Sequence, residues 1–335
     1  MISANQSCGR SRAGNLPTGQ RFGLAGEHQQ RMPTQSVVST NANIQFNGVT
    51  YGVHGTPARV GRPSGQVSGS GTNERRSPAM TTSDLRPPGA SAKNSTERVL
   101  VSDISLAIQP GETMVLLGRS GSGKTTLLRL INRMLTPSAG RVLVKGRATT
   151  EWNAIELRRS IGYVIQEAGL FPHFTVAENI ALVPTLNKWE RHRISARVAE
   201  LLELVGLDGG DFAARYPREL SGGQRQRVGV ARALAADPEI LLMDEPFGAL
   251  DPVTRPELQR EFAQLAKRLK KTIVFVTHDL REALLLASRI VLLQNGKIVA
   301  SDTPQNFMQL QHPEVRAFAA SLGELRAGNG AGAAQ

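Results

Sequence analysis

One cysteine, Cys8, stands in 335 residues, which excludes an intramolecular disulfide and a cysteine cluster for a metal. No apolar run approaches the roughly 18–20 residues that span a bilayer, so any membrane role falls to partner subunits. The first thirty residues lack an apolar h-region, and no signal peptide is expected; their Arg and Ser content gives a faint transit-peptide character. Aromatic residues make up only 4%. Acidic residues are in deficit, 28 Asp and Glu against 40 Lys and Arg, for a net charge of +12. Residues 1–98 hold eleven of the cations and four of the acids. Those charges are scattered, without a helical stripe or interleaved aromatics, so a solvated tail is expected and not a nucleic-acid surface. The length allows one large core or two smaller ones, and no internal repeat is visible.

Residues 1–95 are rich in Gly, Ser, Pro, Asn, Thr and Gln. Such a segment buries too little surface to offset its ordering entropy, and a low-complexity, disordered basic tail is expected. Ile44–Tyr51 alternates like a short strand inside it. Met80 is a possible internal start. From residue 96 the texture changes and a folded domain is expected to about residue 322, followed by a flexible Gly/Ala tail over 323–335. Ile104–Ile108 alternates and Pro110-Gly111 turns. Met114–Leu117, Ile161–Ile165, Ile240–Met243, Ile273–Val276 and Ile290–Leu293 read as buried strands. Helical stripes lie between several of them: Leu127, Leu130, Ile131 and Met134; Ile194, Val198, Leu201, Leu202 and Val205, ended by Gly206; and Leu258, Phe262, Leu265 and Leu269. Alternating strands and helices imply an α/β domain with a largely parallel sheet. Asn295-Gly296 between two apolar strands signals a hairpin.

Gly118-Arg119-Ser120-Gly121-Ser122-Gly123-Lys124-Thr125 follows a strand and opens a helix, the context a P-loop requires. Amides from Ser120 to Thr126 are expected to point at phosphates, helped by the partial positive charge of the helix N-terminus. Lys124 is expected to reach the β- and γ-phosphates of ATP, and the Thr125 hydroxyl to ligate Mg²⁺. Ile240–Met243 deliver Asp244 and Glu245 to a strand's carboxyl end, where α/β proteins place ligands. Asp244 suits a Mg²⁺ contact, and Glu245 suits the carboxylate that activates the attacking water. Gln166 and His278 also terminate strands. An amide there can hold Mg²⁺ or the water, and an imidazole can donate to the γ-phosphate. Ser221-Gly222-Gly223-Gln224 precedes another helix, with Ser221 a good N-cap and the glycines freeing amides to face an anion.

Together these residues resemble the ABC transporter ATPases over roughly residues 98–322. Gly118–Thr125 matches Walker A, Gln166 the Q-loop, Leu220–Gln224 the signature and Ile240–Glu245 Walker B. Gly248–Asp251 matches the D-loop and Thr277-His278-Asp279 the H-loop. The resemblance implies a P-loop NTPase core with a mostly parallel sheet, an antiparallel β portion and a helical subdomain inserted at about 167–230. It implies a head-to-tail homodimer in which each ATP lies between one chain's P-loop and the other's Ser221, Gly223 and Gln224, with Asp251 probing across.

A narrower likeness is to importers of quaternary amines such as glycine betaine, carnitine and choline. Leu130–Met134, Ile161–Gln166, Gly169–His173, Arg215-Tyr216-Pro217 and Asp244–Pro252 carry it. That implies an ATPase subunit at the cytoplasmic face of the plasma membrane, energising permease subunits and, through them, an extracytoplasmic solute-binding protein. Phe171-Pro172-His173 is the expected permease contact, and Tyr51 is the candidate adenine-stacking aromatic. The regulatory CBS modules of many relatives are not expected. An importer of another solute, such as an amino acid, sulfonate or phosphonate, stays open. A soluble ABC protein of translation or DNA repair fits less well, because there is one core, no heptad pattern and no cysteine cluster.

Overall fold

A computed structural model describes residues 42–54 and 97–330. Ten strands are interleaved with ten α-helices among these residues. β1 (Ile44–His54) and β2 (Glu97–Ile108) lead to β3 (Thr113–Leu117) and α1 (Lys124–Ile131). β4 (Ala139–Val144), β5 (Arg147–Ala148), α2 (Ala154–Ser160) and β6 (Ile161–Val164) follow. Four helices come next: α3 (Val176–Leu186), α4 (Arg191–Leu204), α5 (Gly209–Phe212) and α6 (Gly222–Leu234). The chain returns through β7 (Ile240–Asp244), α7 (Arg255–Leu269), β8 (Thr272–Thr277), α8 (Leu280–Leu286), β9 (Arg289–Gln294) and β10 (Lys297–Asp302). It closes with α9 (Pro304–Phe307) and α10 (Pro313–Gly330).

Two sheets result. One is antiparallel, in the order β2-β1-β4-β5; the other runs β10-β9-β3-β8-β7-β6, with only β10 antiparallel. The continuous apolar runs are explained by the second sheet, which is covered on both faces. Val115, Leu117, Leu241, Met243, Ile273, Phe275, Ile290 and Leu292 pack with α3, α4, α6, α7 and α8. The alternate residues Met114, Leu116, Ile240, Leu242, Val274, Val276, Val291 and Leu293 pack with α1 and the antiparallel sheet. Each such side chain contributes about 1.5–3 kcal/mol through burial.

Three boundaries differ from the sequence reading. β1 covers the 44–51 segment, read as a possible first strand within the tail, and runs on to His54, pairing with β2 and β4 in the folded domain. Residues 1–41 and 55–96 lie outside the described residues, as do 331–335. Residues 323–330, read as tail, continue α10. Met134 does not share the α1 stripe. The helix stops at Ile131, Arg133 takes φ +54°, and Met134 is 54% exposed. The Met134 and Leu135 amides bond Arg129 O at 2.8 and 2.9 Å, a left-handed closure that turns the chain away before the next helical turn.

The hairpin between β9 and β10 turns at Asn295 (φ +49°) and Gly296 (φ +75°), the signature of a type I′ turn. It is also pressed against β2. A Cβ on Gly296 would lie 2.5 Å from Leu100 O and 3.0 Å from Val101 Cα. Gly296 N donates to Ser122 O at 3.1 Å and Gly296 O accepts Ser102 N at 2.9 Å, so this turn supports both β2 and the phosphate loop. Gly296→Ala is expected to lower stability by about 2–4 kcal/mol through combined strain and crowding, read as an earlier urea midpoint with unchanged slope.

Candidate functional site

Parallel pairing sets the site. Leu117 lies opposite Thr277, Asp244 opposite Val276, and Val164 opposite Met243. The carboxyl ends of β3, β8, β7 and β6 therefore form one edge, and the polar residues that end each apolar run collect there.

The phosphate loop leaves β3 at Gly118 and enters α1 at Lys124. Gly123, at the helix N-cap, has φ +103° and makes no side-chain cap. A Cβ at Gly123 would lie 2.7 Å from Val101 Cγ1 and 2.9 Å from Leu100 O, so the loop is seated directly on β2. With no side chain capping α1, its first-turn amides are donors for an anion. The buried Lys124 donates through Nζ to Gly118 O at 2.7 Å and Arg119 O at 2.9 Å. Burial holds its pKa below the usual lysine range, against the pull of the nearby Glu245 and Asp244. Ser122 Oγ is buried and has no hydrogen-bond partner among the described residues. These features fit a polyphosphate.

Arg119 belongs to the same loop. Its guanidinium pairs with Glu314 of α10 at 2.5 Å, so its part in the loop is its backbone, including the carbonyl on Lys124. Thr125 Oγ1 donates to Asp244 Oδ1 at 2.9 Å across 119 positions of chain. Burial pushes the Asp244 carboxyl above its ordinary range, while the Thr125 hydrogen bond and the Arg129 charge oppose that shift. A hydroxyl and a carboxylate side by side suit Mg²⁺, which is commonly completed by water and substrate phosphate. No cluster of three or more His, Cys, Asp or Glu exists among the described residues to form an all-protein cage.

Glu245 sits at φ +46°, a conformation costing about 1–2 kcal/mol for a residue with a Cβ. Its amide donates to Val276 O at 3.0 Å and its carbonyl accepts Gly248 N at 3.0 Å, which hold the turn. The side chain meets His278, with Nδ1 and Oε2 3.0 Å apart. The ring is exposed, and Nε2 is left for a second partner. Gln166 is exposed and lies beside Gly248, with no hydrogen bond to Thr125 or Asp244.

Ser221 is exposed and caps α6. Its Oγ accepts Gln224 N at 3.2 Å, and Gln224 Oε1 accepts Ser221 N at 2.9 Å. No hydrogen bond joins Ser221, Gly223 or Gln224 to the phosphate loop of the same chain. Asp251 is also exposed. Its carboxylate accepts Val253 N, Thr254 N and Thr254 Oγ1, and the Thr254 bonds hold its pKa below the usual aspartate range. Tyr51 is half buried on β1 and packs against the antiparallel-sheet core.

Two neighbours of the site were not read from the sequence. Tyr163 Oη lies 3.5 Å from Asp244 Oδ2, and burial together with that carboxylate pushes its pKa up to about 12. Arg232 of α6 donates to Ala168 O at 2.6 Å and Gly169 O at 2.7 Å, fastening the segment after Gln166. A polar tip inside an apolar strand and an arginine on a helix's buried face are the signals that mark them.

Comparison with known proteins agrees with this geometry. A family model described as ABC transporter matches residues 101–248. The choline transport ATP-binding protein OpuBA of Bacillus subtilis is 54% identical over 209 residues, 62% of this chain and 55% of that protein. The osmoprotectant import ATP-binding protein OsmV of Salmonella typhimurium is 50% identical over 208 residues, 62% of this chain and 54% of that protein. The chain thus spans about half the length of these curated relatives. A solved dimeric ATP-binding cassette, in a post-hydrolysis state bound to ADP and Pi, superposes with a TM-score of 0.58. It is 29% identical, and the match covers 78% of this chain and 98% of that one. The part of the chain that carries Lys124, Asp244 and Glu245, residues 101–248, is thus an ABC transporter domain.

Proposed function

We propose that the chain binds and hydrolyses ATP at two composite sites of a head-to-tail homodimer and thereby drives a membrane importer. The observation that carries this reading is the meeting of two pairs, Thr125 with Asp244 at 2.9 Å and Glu245 with His278 at 3.0 Å, on the sheet edge beside the buried Lys124. Amides from Ser120 to Thr126 and the Lys124 ammonium hold the phosphates. Thr125, Asp244 and Gln166 would hold Mg²⁺, which neutralises phosphate charge when bound.

Glu245 takes a proton from water, the resulting hydroxide attacks the γ-phosphorus, and the bond to the β–γ bridging oxygen breaks with its electron pair leaving on ADP. His278 orients the Glu245 carboxylate and offers Nε2 toward the transferred phosphoryl group. Ser221, Gly223 and Gln224 of the second copy close the site, and Asp251 faces across it. The exposed capping box at Ser221, which no hydrogen bond joins to the phosphate loop of the same chain, supports that role.

The solute in this proposal is a quaternary amine, on the strength of the choline and osmoprotectant names of the two relatives. In this proposal the chain acts at the cytoplasmic face through a permease, on the strength of its likeness to transport ATP-binding proteins. Phe171 and Phe174, 48% and 37% exposed with ring centroids 5.4 Å apart, offer an apolar contact for that permease.

Glu245→Gln is expected to bind ATP normally and lower turnover by about 10²-fold or more, measured by phosphate release and nucleotide titration. Unchanged turnover would remove Glu245 from the mechanism. A pair of variants separates the cap from the catalytic role of Ser221. Ser221→Ala should cost about 1 kcal/mol of stability. Ser221→Asp keeps a capping oxygen yet opposes the γ-phosphate charge, so it should unfold near the unsubstituted midpoint and lose ATP turnover. Full turnover in Ser221→Asp would contradict the composite site.

A further inference from the structure

Among the described residues the exposed His278 ring has only Glu245 as a side-chain partner, yet the chain on both sides of it is held from beneath. Thr277, buried at the end of β8, donates its hydroxyl to Glu282 Oε2 at 2.5 Å and accepts the Asp279 amide at 2.9 Å. Asp279 in turn caps α8 by accepting Arg281 N at 2.8 Å. Glu282, in the first turn of α8, is buried and forms no salt bridge among the described residues, with the Arg255 charge acting on it from a distance. Its other oxygen accepts Gln259 Nε2 at 2.8 Å. Gln259 is buried in α7, one helical turn after Arg255, and Arg255 donates to Gly248 O at 3.3 Å and Leu250 O at 2.9 Å. Residues i and i+4 share a helix face. One face of α7 therefore holds residues 248–250 through Arg255 and, through Gln259 and Glu282, the residues flanking His278.

A buried carboxylate without a paired cation is costly to keep ionised, and burial pushes the Glu282 pKa up. An apolar side chain of similar size would fill the space without that cost, but it could not hold Thr277 and Gln259 together. We propose that Glu282 is a positioning residue. Through Thr277 it sets the backbone that aims His278 at Glu245, and through Gln259 it ties that aim to the segment carrying Asp251. The inference rests on the ATPase reading above.

Purified full-length chain, tested with ATP, decides the matter through kcat, KM, nucleotide binding and thermal unfolding of four variants. Glu282→Ala should lower kcat about tenfold or more while KM moves less than about threefold, the pattern of a contact that matters in the transition state. Glu282→Gln should stay within about threefold of the unsubstituted kcat, because its amide oxygen still accepts from Thr277 and Gln259 can rotate to accept from its NH₂. In a His278→Ala background, Glu282→Ala should cause no further loss of the residual turnover. Gln259→Leu removes one donor and leaves Thr277 bonded, so it keeps the test alive should Glu282→Ala fail to fold; an intermediate loss of kcat is expected. An unchanged kcat in folded Glu282→Ala, a Gln variant as impaired as the Ala variant, or additive losses with His278→Ala would each overturn the positioning role and leave the ATPase reading intact. No ATP turnover in the unsubstituted chain would overturn both.

Discussion

Parallel backbone hydrogen bonds hold Leu117 opposite Thr277 and Asp244 opposite Val276, and every part of the site depends on that register. The strands concerned are apolar on both faces, so each can carry a polar group only where it ends. Their shared end is one edge of the sheet. Lys124, Thr125, Asp244, Glu245 and His278 come from three separate chain segments, and they meet because the strands behind them are pinned residue to residue. A shift of one residue in any ladder would break the Thr125–Asp244 contact and turn buried apolar side chains to the opposite face.

The same edge is also where the fold accepts local cost. Lys124 is buried on carbonyl oxygens, Asp244 is half buried near a second carboxylate, and Glu245 occupies a left-handed backbone. Each of these is unfavourable in isolation and suits a site for phosphate, metal and water. The supports are correspondingly rigid: Gly123 and Gly296 crowd the Leu100–Val101 backbone, and the Gly296 amide bonds Ser122 O. The groups that face outward, Ser221 and Asp251, are held by their own caps and make no hydrogen bond to the phosphate loop of the same chain, which is the arrangement expected of half of a site closed by a second copy.

Much of this was legible in the amino-acid order. Short apolar runs ended by the Gly118 loop, Asp-Glu, Gln or His mark strand ends, and local chemistry marks the helix start at Ser221 and the turn at Asn295-Gly296. Other features were hidden for definite reasons. Met134 fits the helical period, but a left-handed Arg133 ends the helix first. Arg119 sits in the loop, but Glu314 of α10, 195 positions away, takes its side chain. The Gln259–Glu282 and Tyr163–Asp244 contacts depend on which faces of distant elements meet, and a single sequence carries no trace of such pairings. The 44–51 strand could be read, whereas its place between β2 and β4 could not, because strand order is set by three-dimensional packing.

The claim that the site is completed by a second chain can be tested by complementation. A Lys124→Ala chain and a Ser221→Asp chain are each expected to be inactive as homodimers. Mixed in equal amounts and allowed to exchange, they form heterodimers in which one of the two sites regains an intact phosphate loop and an intact Ser221. ATP turnover of the mixture is then expected to rise to about a quarter of the unsubstituted value, since half of the dimers carry one working site of two. A mixture no more active than its two components measured apart would contradict the composite site.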